Sequence, residues 1–223
     1  MRIRRYQTEH SFSNDTRLSW PCKKNNHGQA RPRPQIHNML RITIVTGNPG
    51  KVKELKALAS GRIDFTMHDL DIDEIQSLDL EKIVKDKADK AYKQIGSPVI
   101  VEDVSAGLAS LNNLPGPFIK YFNKEIGNDS LYKLANPNDT VTISCIAAYY
   151  DGVKFLLGKG TLTGKIVSPR GNNGFGFDSV VVPSGQTKTM AEMTSEEKIL
   201  VGHRGKAFRS LLSQLEQQHI IGV

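Results

Sequence analysis

Three observations predict an α/β fold, a single domain of two lobes with a long mixed central sheet flanked by helices. Short apolar runs alternate with amphipathic helical stretches between Arg41 and Ile100. Two long strand-like runs, TVTISCIAAYYDG and VKFLLGKGTLTGKIV, then meet at Asp151-Gly152, a dipeptide that favours hairpin turns. A helical stretch follows towards the end of the chain. Strand–helix alternation calls for parallel neighbours with helices on the sheet faces, and the hairpin adds antiparallel strands, so the sheet is mixed.

Taken in order, RITIVT is the first strand. KVKELKALAS follows as a helix with Val52, Leu55, Leu58 and Ala59 on one face. IDFTMHDL is the second strand, and an acidic stretch, DIDEIQSLDL, leads into a helix built from EKIVKDKADKAYKQI and ending near Ile95. PVIVED is the third strand, expected to end in the carboxylates Glu102 and Asp103. SAGLASLNNLPGPF is expected as a loop, and IKYFNKEI and DSLYKLA as short helices. Beyond the hairpin come a Gly/Asn-rich loop, SPRGNNGFGFD, and a short strand, SVVVP. A helical segment is expected from about Met190 to Gln218, interrupted near Gly202. There is no internal repeat.

Composition narrows the function classes. The 223 residues suffice for one sizeable domain, and no stretch approaches the roughly 18–20 apolar residues that cross a bilayer. No apolar signal-peptide core is visible near the start. Two cysteines, Cys22 and Cys145, exclude a disulfide framework and suit a reducing cytoplasm. The net charge of +7 is unevenly placed: residues 1–38 carry eight Lys or Arg against two acids, leaving 22 basic and 21 acidic residues in 39–223. The domain is therefore nearly neutral, which argues against a duplex-binding face on it. Residues 1–38 lack any helical or strand period and are expected to be a basic, disordered extension, with a nucleic-acid or targeting arm as the alternative. Met39 is a candidate translation start. The domain is expected to span 39–223.

Five polar clusters could carry chemistry. Thr46-Gly47-Asn48, with Lys51 and Glu54 behind them, form a glycine turn that follows a strand and opens a helix, a common way to present backbone N–H groups to phosphate. This is not a Walker loop, which needs four residues between its glycines and Ser or Thr after the lysine. Here Asn48 and Pro49 alone separate Gly47 from Gly50, and Val52 follows Lys51. Glu102-Asp103, with Glu74 in the loop after the second strand, offer the hard oxygens that a divalent ion bridging phosphates requires. Asn112 to Lys120 contain two prolines around a glycine, a rigid turn that either positions Lys120 or ends a loop. Gly174-Phe175-Gly176-Phe177-Asp178 present aromatic rings for base stacking or for the core. Lys198 with His203-Arg204 suit a triphosphate or a purine edge, and equally a solvated face.

Together and in this order, the pieces TGNPGKVKE, VED, LPGPFIKYF, FGFD, KTMAEM and EKILVGHRGKA resemble the inosine triphosphate pyrophosphatase family, which acts on non-standard purine nucleoside triphosphates. The similarity covers about residues 41–217. It implies an ITPase-like fold and magnesium-dependent hydrolysis of ITP, dITP or XTP to the monophosphate and pyrophosphate, by a homodimer as is usual in the family. It also implies a triphosphate-holding loop from Thr46 through Gly47 and Asn48 to Lys51, and Asp103 as metal-associated general base with Glu74 as a metal ligand. Lys51, Lys87 and Lys120 would neutralise phosphate charge. Phe175, with Gly176 and Phe177 in the same turn, would stack on the base. Asp178 and Lys198 would contact the nucleotide, and His203-Arg204 would read the 6-keto edge.

The chemistry agrees: no Ser, Cys or His nucleophile with a paired base is apparent, which favours direct attack by water. The chain departs from the family at Val104 and Gly202 (commonly hydroxyl residues), at Ile199 (commonly Asn) and at Ser179 (commonly Pro). It also has one extra residue between Glu74 and Lys87. A catalytically weakened nucleotide-binding protein of the same fold is the alternative reading.

Overall fold

Strand β1 (Arg41–Val45) sits inside a parallel trio, between β2 (Asp64–His68) and the start of β3 (Val99–Leu108). The computed structural model describes residues 40–222, so the expected arm at residues 1–38 lies outside the described residues. The sheet runs β2-β1-β3-β5-β6-β7 in space, with β4 (Leu114–Gly116) antiparallel to the far end of β3. Strands β5 (Thr140–Tyr150), β6 (Phe155–Ile166) and β7 (Val181–Pro183) complete the antiparallel half. The mixed sheet expected from the sequence is the one observed.

Local chemistry sets the helix ends. Asn48 N-caps α1 (Pro49–Ala59) by accepting from the Gly50 N–H at 2.9 Å, and Pro49 needs no hydrogen bond at the first helical position. Asp79 caps α2 (Leu80–Ile95), accepting from the Glu81 and Lys82 N–H groups, and Gly96 closes it in the left-handed region at φ 70°. Short helices α3 (Ile119–Ile126) and α4 (Ser130–Leu134) follow β4. Near the end, the expected start at Met190 is corrected. Residues Met190–Glu192 make one 3₁₀ turn, and α5 (Ser195–Val201) begins only after Thr194, which exchanges capping hydrogen bonds with Glu197. Helix α6 (His203–Gln217) begins immediately beyond Gly202.

The third strand also departs from expectation. It does not end at Glu102 and Asp103 but continues to Leu108, because Val99–Leu108 pairs along its whole length with Val141–Tyr150 of β5. Ala106 and Leu108 are fully buried, which the loop expectation for SAGLASL did not anticipate.

Side-chain alternation splits the core into layers. Ile42, Ile44, Ile100 and Cys145 face α1 and α6, while Val99, Val101, Ile146 and Ala148 face α2. Beyond them, Ala106, Leu108, Ile143 and Leu162 pack with Ile119 of α3 and Leu131 of α4 to form the second lobe. Val104 packs against both the α1/α6 cluster and this lobe, a structural reason for an apolar residue there. Helix α6 lies unusually close to the sheet. A Cβ on Gly158 would stand 2.1 Å from the Ala207 carbonyl oxygen, and one on Gly160 2.2 Å from that of His203. Only glycine permits that approach, and it fixes the start of α6 against the hairpin.

Candidate active site

A cleft opens where β3 loses its neighbour. Val99 and Ile100 lie beside Thr43 and Ile44, but β1 stops at Val45 and β4 joins only at Ala106. Between those points Glu102, Asp103 and Val104 have strand partners on the β5 side alone. The cleft measures about 760 Å³, within the usual range for small-molecule sites. Adjacent residues of a strand point to opposite faces, so the two carboxylates meet different helices.

Glu102 points towards α1 and α6 and is 5% exposed. Lys51 of α1 forms an ion pair with its Oε1. Arg204 at the start of α6 donates Nε–H to its Oε2 at 3.2 Å, and the Cys145 thiol donates to the same oxygen at 3.3 Å. Arg204 also lies 3.5 Å from Glu54. Burial opposes the charge on Glu102, but Lys51 and Arg204 outweigh it and hold its carboxyl well below the usual range. Burial likewise opposes the charge of Arg204, and Glu102 overcomes it.

Asp103 points towards α2. Lys87 of α2 stands between two carboxylates, 2.7 Å from Glu74 and 3.9 Å from Asp103, and Lys120 of α3 lies 3.4 Å from Glu74. Burial pushes the Asp103 carboxyl up; Lys87 resists, and the neighbouring Glu74 and Glu102 add to the rise. Glu74 goes the other way: burial raises it, but Lys87 and Lys120 more than offset this. Burial also works against the Lys87 ammonium, yet Asp103 and Glu74 hold its proton more firmly than usual.

The phosphate-turn residues Thr46, Gly47, Asn48 and Lys51 also line the cleft. Thr46 accepts from the Asn48 N–H at 3.1 Å, which sets the turn that delivers the positive start of α1 to the cleft. At the other end stand Phe175, Gly176, Phe177 and Asp178 with His203 and Arg204. The two rings differ. Phe175 is half-buried with Arg204 Cζ 5.0 Å from its centre, whereas Phe177 belongs to the core of the second lobe. His203 is 2% exposed, its Nδ1 has no hydrogen-bond partner, and burial together with Arg204 lowers its pKa to about 3, so the ring is neutral at pH 7.

Of the residues to which the family resemblance gives a role, Lys198 alone lies outside this cleft. With Glu54 and Gly174, also singled out in the sequence, it lines an adjoining cavity of about 670 Å³ that shares Phe175 with the cleft, and it is held 2.5 Å from Asp178. The glycine turn permits that pair: Gly174, at φ 127°, leaves no room for a Cβ beside Asp178 and the Lys198 ammonium. The sequence offered Glu102 as an oxygen donor beside Asp103, not as the buried partner of Lys51 and Arg204, and gave no sign of Asp69, Asp71 and Asn123, which also line the cleft. The signal for Glu102 was an acid inside a run, VIVEDVSAGL, too apolar for a strand end.

The donor set for a metal is small. Among the described residues no three His, Cys, Asp or Glu side chains are grouped to hold an ion. Of the cleft carboxylates, Glu74 and Asp103 are the pair brought together, through the lysine they share. Two hard oxygen donors beside a phosphate turn fit magnesium, which keeps several waters and takes substrate oxygens.

Similarity to known proteins follows the same outline. The Ham1 family profile matches residues 42–214. An inosine triphosphate pyrophosphatase of Schizosaccharomyces pombe is 37% identical over 181 residues, 79% of this chain and 96% of that protein. One from Yarrowia lipolytica is 42% identical over 177 residues, 77% of this chain and 94% of that protein. The solved structure of the Staphylococcus aureus Ham1 protein superposes with a TM-score of 0.68 at 27% identity, over 80% of this chain and 99% of that one. The chain belongs to the Ham1 family.

Proposed function

We propose that the protein hydrolyses non-standard purine nucleoside triphosphates (ITP, dITP, XTP) to the monophosphate and pyrophosphate. The observation that carries this reading is that Asp103 and the Lys51 turn line one cleft. The names of the relatives supply the purine triphosphate as substrate.

In this reading Asp103 accepts a proton from the water that attacks the α-phosphorus. Its raised pKa places it nearer neutrality than an ordinary carboxylate, which suits a general base. As the new P–O bond forms, the bond to the bridging oxygen breaks and pyrophosphate leaves. Lys51, Lys87 and Lys120 neutralise the charge on that leaving group. Glu74 and Asp103 would hold magnesium, which when bound would supply Lewis-acid polarisation of the phosphate and a more acidic water. Phe175 stacks on the base. His203 and Arg204 face the 6-keto edge, where the amino group of adenine would leave a donor unpaired. Phe177, buried in the lobe core, backs this turn, and the Lys198–Asp178 pair holds it.

The remaining features of the reading are a homodimer and a cytoplasmic setting. Exposed Leu111, Leu114, Tyr121 and Tyr132 support an association surface, and the buried free Cys145 supports a reducing compartment. The weakened-binder alternative drew on Val104 and Gly202, yet neither change removes a cleft carboxylate or cation. The test is pyrophosphate release from ITP, XTP, dUTP, GTP and ATP, with and without magnesium. Magnesium-dependent release from ITP and XTP, at least tenfold faster than from ATP, is expected. Release of orthophosphate, or no preference for the 6-keto purines, would overturn the reading.

A further inference from the structure

We propose that Glu102 is a positioning residue that couples the phosphate end of the cleft to the base end, so that occupation of one tightens binding at the other. The inference rests on the pyrophosphatase reading, which supplies the nucleotide.

The geometry is that of a hub. Glu102 is buried, and its partners come from three elements: Lys51 of α1, Cys145 of β5 and Arg204 of α6. Lys51 stands in the first turn of the helix that follows the phosphate loop. The Arg204 guanidinium lies over the Phe175 ring, 5.0 Å from its centre, and the Lys198 ammonium lies over the same ring at 5.4 Å. One carboxylate therefore links the cation at the phosphate turn to a cation in contact with the Phe175 ring.

Glu102 and Arg204 are shielded from water while Lys51 is partly exposed to the cleft, so the charges interact strongly and each cation's hold on Glu102 depends on the other. A phosphate that draws Lys51 away leaves the carboxylate to Arg204 and the Cys145 thiol. Arg204 is then held more firmly, and with it the face of Phe175 on which a base rests. Without the charge at position 102, Lys51 would lose its ion-pair partner and Arg204 would keep Glu54, 3.5 Å away. The two ends would then bind independently.

The experiment uses the two products as separate probes. Calorimetry measures the affinity of the full chain for IMP, in magnesium buffer, with and without saturating inorganic pyrophosphate. In the unaltered protein, pyrophosphate should tighten IMP binding about fivefold or more. In Glu102→Gln both ligands should still bind, with that ratio reduced to about one. A merely structural carboxylate would weaken both ligands alike and leave their ratio intact, and an unchanged ratio overturns the proposal. Should Glu102→Gln fail to fold, a double-mutant cycle of Lys51→Met and Arg204→Met on IMP binding beside pyrophosphate takes its place. Non-additive losses support the coupling, and additive losses overturn it. Turnover of ITP is scored separately by pyrophosphate release, so failure of the functional reading and failure of the coupling are distinct results.

Discussion

Glu102 and Asp103 are neighbours in the chain and lie in unlike surroundings. The pleat of β3 turns Glu102 towards α1 and α6, where a lysine, an arginine and a thiol satisfy it. The same pleat turns Asp103 towards α2, where Lys87 stands 3.9 Å away and is already committed to Glu74 at 2.7 Å. One carboxyl is accordingly held well below its ordinary range and the other is raised. The difference teaches that burial alone does not make a carboxylate reactive. Full compensation turns a buried acid into scaffolding, whereas an acid left short of partners retains an appetite for a proton or a metal.

The contrast would break most directly at Asp103. Asp103→Asn should lower ITP turnover by a factor on the order of 10²–10⁴, the usual contribution of a general base, with the melting transition retained. Near-normal pyrophosphate release would show that the two carboxylates are not divided in this way. Lys87→Met tests the α2 side alone. Losing a charged partner should destabilise the magnesium-free protein by about 1–3 kcal/mol, read as a lower urea midpoint. Magnesium should restore most of that loss, because it would neutralise the same two acids; no metal-dependent recovery would remove them as its ligands.

The smallest effect concerns His203, on the Glu102 side. Its pKa falls from 6.5 in the open chain to about 3 in the fold. Between those values the unfolded state binds the extra proton, so stability declines as pH drops from about 6.5 towards 3. The decline should approach 1.4 kcal/mol per pH unit well below 6.5 and disappear in His203→Gln. Urea midpoints at pH 7 and pH 5 measure it, and an equal decline in both proteins would place the ring in water.

Much of this was legible in the sequence. Helix α2 announces itself through Leu80, Ile83, Val84, Ala88 and Ala91, all buried on one face. The hairpin is written in Asp151-Gly152. The motifs around Lys51, Asp103, Phe175 and His203 identify residues that the fold gathers in one cleft. What escaped was pairing. PVIVED reads as a strand that stops at its acids, because charged residues ordinarily end buried strands; tertiary partners on α1 and α6 allow Glu102 to stay inside. Phe175 and Phe177 look equivalent on paper, and only their neighbours separate a cleft ring from a core ring. Lys198 reads as a cation for the nucleotide or for solvent, yet it is paired with Asp178 and lines the cavity adjoining the cleft.

The seat of α6 reaches further than packing. A single methyl on Gly160 would press on the His203 carbonyl and lift the helix end, moving the buried imidazole and guanidinium together. On the proposed reading, a lesion in a hairpin whose residues do not line the cleft would thus masquerade in a genetic screen as altered purine preference.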